Sequence, residues 1–171
     1  MPIDDTRNDL LSDMLNSNPT SFLEGRDFRA FKELDISSGQ SLFIEIAVPT
    51  DIYLDRIVLD IDAGHARYSS LAGATSTGAS VPLPTVFPTN QRSDAGAYTR
   101  GLMPSIVDGV TGGIELDVAR VKTGQNNQRT SVLEDAVGKR GYPAGTYHLV
   151  VENIGTGSVT GVLYAHWAEW P

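Results

Sequence analysis

The sequence predicts a mostly-β protein: an antiparallel, jelly-roll-like β-sandwich behind an extended N-terminal arm that holds a short helix. Three observations carry that expectation. Apolar and polar residues alternate with the period of a strand over 42–48, 57–62 and 147–167. The chain has 17 Gly and 9 Pro, punctuation that suits many short strands better than long helices. Strand patterns do not alternate with helical ones, which argues against a parallel α/β sheet. A chain of 171 residues suits one domain around one core. It divides into an arm over residues 1–35 and a body over residues 36–171.

The arm comes first. Asp4, Asp5 or Thr6 caps a short helix, and Leu10, Leu11, Met14 and Leu15 share one face of it. Asn16-Ser17-Asn18-Pro19 ends it. So short a helix is marginal alone in water, so it is expected to order by docking on a partner or neighbouring subunit. In the segment that follows, Phe28, Ala30 and Lys32 would share one face of a strand and Arg29, Phe31 and Glu33 the other.

The body opens with a strand in which Leu42, Ile44, Ile46 and Val48 alternate with Phe43, Glu45 and Ala47. Pro49-Thr50-Asp51 is a turn. Ile52 and Leu54 restart the apolar pattern, and Ile57, Leu59 and Ile61 continue it. Gly64 breaks the strand before a short one over His65–Leu71. Residues 72–113 are rich in Gly, Ser, Thr, Pro and Ala and predict long surface loops with one or two short strands. Ile114, Leu116 and Val118 alternate with Glu115, Asp117 and Ala119, a strand with one polar face. Residues 122–141 predict a second polar loop, with a helical turn near Ser131–Val137. Finally, Tyr147, Leu149 and Val151, then Val159, Leu163 and Trp167, mark two strands. The glycine-containing loop Asn153–Ser158 is expected to join them as an antiparallel hairpin.

The formal net charge of −8, with 13 basic residues scattered among 21 acidic ones, lacks the clustered Lys and Arg of a nucleic-acid coat. The absence of Cys excludes disulfides and thiolate metal sites. Residues 1–16 lack the apolar core of a signal peptide, and no apolar run approaches ~20 residues. Synthesis and folding in the cytoplasm, no membrane partner and no nucleic-acid partner are therefore expected.

Candidate chemistry is sparse. His148 and His166 fall on adjacent strands in this reading, with Glu152 on the face of His148, but a polar strand face accounts for them better than a zinc site does. Asp60, Asp62 and His65 suit a solvated strand end. Glu115 with Asp117, and Glu134 with Asp135, are acid pairs of a kind common without catalysis. The motifs of a nucleophile elbow, a P-loop, a dinucleotide fold and an EF-hand are all missing. No catalytic residue, cofactor or metal is assigned. Tyr164, Trp167 and Trp170 could offer a sugar-stacking platform, although Trp167 shares the apolar face of Leu163 and is expected in the core.

Several runs resemble small virion proteins of tailed bacteriophages. They are Asn18–Glu33 (NPTSFLEGRDFRAFKE), Ile61–Arg67 (IDAGHAR), Phe87–Asn90 (FPTN), Gly113–Val118 (GIELDV) and Ala144–Trp167. The resemblance spans residues 18–171 and is similar to that of capsid decoration, or cement, proteins. It implies a non-enzymatic structural protein on the outside of the expanded head, bound to the major capsid protein as a homo-oligomer such as a trimer. Under that reading the arm, through Phe22, Arg26, Phe28 and Phe31, carries the capsid or inter-subunit contacts. The alternatives are a tail, collar or neck component, and a carbohydrate-binding module of an adhesin.

Overall fold

The computed structural model describes residues 26–84, 86–88, 101–123, 130–132 and 140–169. Its elements are β1 (Asp27–Ile36), β2 (Ser41–Val48), β3 (Ile52–Ala63), β4 (His65–Ala72), β5 (Thr75–Pro82), β6 (Val86–Pro88), β7 (Met103–Thr111), β8 (Ile114–Lys122), β9 (Thr130–Val132), β10 (Arg140–Tyr142), β11 (Gly145–Asn153) and β12 (Val159–Glu169). Every regular element among these residues is a strand. None is a helix long and apolar enough to cross a membrane. The helix expected in the arm, and Phe22 with it, lie outside the described residues.

The strands make two six-stranded antiparallel sheets. The first runs β10-β3-β12-β1-β6, with β9 also beside β3, and the second runs β5-β7-β2-β11-β4-β8. Pairing is nested from the two ends of the body inwards: β1 with β12, β2 with β11, β3 with β10, and β4 with β8. Consecutive strands along each half of the nest lie in opposite sheets, so the paired ribbon wraps around the core as a jelly roll. The core lies between the sheets. Phe28, Leu34, Leu59, Ile61, Leu163 and Trp167 of the first sheet face Ile44, Val48, Tyr68, Leu149 and Val151 of the second. Each such buried side chain contributes about 1.5–3 kcal/mol relative to exposure.

Strand β1 changes the expected domain boundary. Asp27–Ile36 pairs with β12 along all ten of its residues, and Phe28, Ala30, Leu34 and Ile36 are buried. An arm reaching residue 35 would strip the sheet of this strand. Residues 27–35 therefore belong to the body, because their alternation supplies one of its apolar faces.

The expected C-terminal hairpin does not form. β11 pairs with β2 and β4, whereas β12 pairs with β1 and β3 in the other sheet. Both strands carry a strongly apolar face, and facing each other across a sandwich buries each against the other. The connection between the sheets is anchored at Asn153, whose amide donates to the carbonyls of Ile36 and Gly157, both at 2.7 Å. Ile154 N–H donates to the His65 carbonyl at 2.9 Å. His148 and His166 are consequently in different sheets and are not cross-strand neighbours.

β3 explains a phase change in the sequence. Ile52 and Leu54 sit on even positions and Ile57, Leu59 and Ile61 on odd ones, yet all five are buried in one strand. The register against β12 slips between His166 and Trp167: Leu54 faces Trp167, Arg56 faces His166, and Asp55 is the extra residue of a β-bulge. A second slip lies at Gly161, where φ is +149° and an added Cβ would fall 2.2 Å from the Asp60 carbonyl oxygen. Only glycine fits there. Gly64, at φ +101°, turns the chain from β3 into β4 of the other sheet.

Residues 72–113 hold more strand than expected. β5 and β7 pair over Thr75–Pro82 and Ser105–Thr111, and β7 also pairs with β2. β5 is exposed along almost its whole length, so its Ser, Thr, Gly and Ala residues carry no apolar alternation to read. Within the expected loop 122–141, Thr130–Val132 and Arg140–Tyr142 are strands paired with β3. Ser131 and Val132, placed in a helical turn from sequence, are thus extended, and the rest of that turn lies outside the described residues.

Candidate functional site

The outer face of the first sheet carries the largest grouping of exposed aromatic side chains among the described residues. Its composition follows from pairing register. Phe31 of β1, Tyr164 of β12 and Val58 of β3 lie directly opposite one another and form a row across three strands. Phe87 of β6 faces Arg29, diagonal to Phe31. The Phe31 ring centroid is 6.2 Å from that of Phe87, at 17° between planes, and 6.2 Å from that of Tyr164. Phe87 is 40% and Tyr164 48% exposed, high for aromatic rings in a folded domain.

The neighbouring rows are charged and of opposite sign. On one side lie Arg29, His166 and Arg56, with His166 Nδ1 2.8 Å from the Asp55 carboxylate that the bulge places there. On the other lie Glu33, Val162 and Asp60. A basic band, an aromatic band and an acidic band thus run side by side across the sheet.

Of the arm residues assigned from sequence to partner contacts, Phe31 is the one described residue that reaches this surface, where it meets Tyr164, named from sequence for a sugar platform. Arg26 is 8% exposed; its guanidinium donates to the Glu169 carbonyl at 2.6 Å, and its own carbonyl accepts from Glu169 N–H at 3.0 Å. Phe28 is buried and stacks on Trp167 with centroids 5.9 Å apart. These two residues tie β1 to β12 within the chain. Sequence reasoning missed Phe87, Val58, Arg29 and Arg56. The alternation Phe28/Arg29/Ala30/Phe31 already put Arg29 beside Phe31, whereas Phe87 stands between prolines with no periodic pattern to orient it. Trp170, named with Tyr164 as a sugar platform, lies outside the described residues.

Two polar clusters elsewhere have structural explanations. The buried Glu169 carboxylate accepts N–H bonds from Gly101 at 2.8 Å, Leu102 at 3.1 Å and Trp167 Nε1 at 3.2 Å. It pins the chain entering β7 onto the end of β12. In the second sheet, His148 lies on the strand face opposite Leu149 and Val151 yet is buried, with Ser76 of β5 against its ring. Ser76 Oγ lies 2.8 Å from His148 Nε2 and donates to the Glu45 carboxylate. This serine, histidine and acid do not make a nucleophilic triad. Glu45 approaches the same Nε2, at 3.7 Å, and Nδ1 has no hydrogen-bond partner in the described structure, so the acid does not orient the imidazole. Burial lowers the His148 pKa below its ordinary 6.5, against the opposing pull of Glu45.

Glu115 ion-pairs with Arg67 and is not held beside Asp117, which accepts a hydrogen bond from Ser70 Oγ at 3.1 Å. Among the described residues, no group of three or more His, Asp or Glu could hold a metal ion. Comparison with protein-family models, curated proteins and solved structures finds no match to this chain.

Proposed function

We propose that this protein is a structural component of a tailed-phage particle, a decoration protein that binds the major capsid protein on the outside of the expanded head and braces it. The observation that carries this reading is the banded outer face of the first sheet. Exposed aromatic rings flanked by Arg are the composition of protein-interaction hot spots. Bands of opposite charge on either side of the rings let a partner dock in one orientation only, which a repeating lattice requires. The resemblance of residues 18–171 to phage virion proteins supports the same reading. Many copies on one shell give avidity to a modest single contact.

Co-sedimentation of the purified protein with expanded, undecorated heads tests the proposal. The expected result is saturable binding at one stoichiometry per lattice position, lost when Phe87→Asp and Tyr164→Asp are combined. Both side chains are exposed, so the doubly substituted body should still fold. Undiminished binding by that variant would remove the aromatic face from the proposal. No binding by the unsubstituted protein, with only a few copies in intact virions, would move it to the tail, collar or neck. The near-parallel Phe31 and Phe87 rings favour one second reading, a carbohydrate-binding face on which sugar rings stack. Hits on a glycan array that disappear with Phe87→Asp would establish it.

A further inference from the structure

The space between the two sheets is not completely filled. A cavity of about 60 Å³ remains there, partly open to solvent, with walls that are almost entirely hydrocarbon. Protein interiors are close-packed, and voids much larger than a water molecule are few. The lining comes from β10, β3, β12 and β1 of the first sheet and from β7, β2, β11, β4 and β8 of the second. Four neighbouring strands span roughly 14 Å. So small a volume spread over that length makes a narrow slot across the sandwich. Its shape fits one extended alkyl chain better than a compact ring.

Lys32 is the one charged residue of the lining, on the same face of β1 as the buried Ala30 and Leu34. A lysine stem lies readily along apolar surface, but its ammonium needs water or an anion. No ion pair or hydrogen bond to that ammonium forms among the described residues. β6 pairs with β1 only at Phe28–Ala30, so Lys32 stands half-buried at the sheet edge among the described strands. The far end of the slot lies against β8 and β10, at Leu116 and Tyr142. Ser70, the lining hydroxyl on that side, donates to the Asp117 carboxylate at 3.1 Å. An acid there disfavours an anion, so the two ends of the slot differ in the charge they accept. We propose that the slot binds a linear amphiphile with an anionic head, of the class of a fatty acid. Its chain lies between the sheets and its carboxylate meets the Lys32 ammonium. A mostly apolar cavity with one well-placed polar group is the usual anatomy of a small-molecule site, and the head-group contact is charge-assisted. The slot is interior and the aromatic bands are on the outer face, so this proposal stands or falls separately from the capsid reading.

Dodecanoate, kept below its micelle concentration, is the probe, titrated into the full chain and followed by methyl NMR. The methyl resonances of Ile44, Leu149 and Leu163, which line the slot, should shift. Those of Val58, in the outer row with Tyr164, should not. Affinity should rise roughly fourfold per methylene from octanoate upwards and level off once the chain outgrows the slot. Lys32→Met keeps the apolar stem and removes the charge. It should weaken dodecanoate about tenfold or more and leave the uncharged dodecanol unaffected. Should Lys32→Met fail to fold, Lys32→Gln makes the same comparison with a polar tip. Unmoved core methyls, shifts confined to the outer face, or equal dodecanoate affinity with and without the lysine would overturn the proposal.

Discussion

β12 and β8 have similar sequence patterns and opposite fates. Both place apolar residues on alternate positions, β12 at Val159, Leu163 and Trp167 and β8 at Ile114, Leu116 and Val118. β12 lies inside the first sheet between β3 and β1, and its Val159, Leu163 and Trp167 are buried against the second sheet. β8 has a neighbour on one side, and its Ile114, Leu116 and Val118 are the exposed residues. The core side of β8 is supplied by Ala119 and Val121 instead. A register slip between Ser70 and Leu71, where β8 runs along β4, changes which residues point inward along the strand. Alternation therefore predicts extended chain, while the neighbours on each side determine which face of it is buried.

That contrast is open to direct attack by substitution. The largest effect is expected in β12. Trp167→Ala removes a ring stacked on Phe28 and the indole N–H that helps hold Glu169, and should cost about 3–5 kcal/mol in denaturant unfolding. A loss below about 1 kcal/mol would mean that the cavity collapses and that the Trp167 ring adds little to the packing between the sheets.

An intermediate and pH-dependent effect is expected at His148, which resembles β12 in burial and β8 in facing outwards from the sandwich. A base whose pKa is lowered by folding stabilises the protein while neutral. Its contribution is complete above the unfolded value of 6.5 and is lost as the pH falls below it, where the unfolded chain takes up a proton first. Stability should therefore fall on acidification through pH 6.5, and His148→Gln should flatten that part of the profile. A variant with an unchanged slope would transfer the effect to other groups. The smallest effect is expected in β8: Val118→Thr, on an exposed edge, should change stability by less than about 0.5 kcal/mol. A larger loss would show that Val118 is covered after all.

The aromatic face shows how far a candidate surface can be followed from sequence. Phe31 could be placed opposite Phe28 by period-two alternation, and its surroundings could be placed no further. Tyr164 reaches Phe31 because β1 and β12, more than 120 positions apart in the chain, are neighbours in exact register. Phe87 reaches it because a three-residue strand from the proline-rich stretch completes the sheet. Arg26 teaches the converse. An arginine among phenylalanines near the start of the chain has the composition of an interaction arm, but the Glu169 carbonyl and peptide N–H on the neighbouring strand bury it.

By itself the sequence determined that the chain is built of strands, where most of them run, and which side chains of β2, β3, β11 and β12 form the core. These are consequences of local backbone geometry, which sets side chains on alternate faces and lets glycine and proline end each run. Only the tertiary structure decided that Tyr147–Trp167 crosses between sheets instead of closing a hairpin, that the phase change at Asp55 is a bulge inside one strand, and that β8 exposes its apolar residues. Each of these depends on which distant strand lies alongside. That choice is made by the whole set of apolar faces finding a common interior, and a single strand carries no record of it.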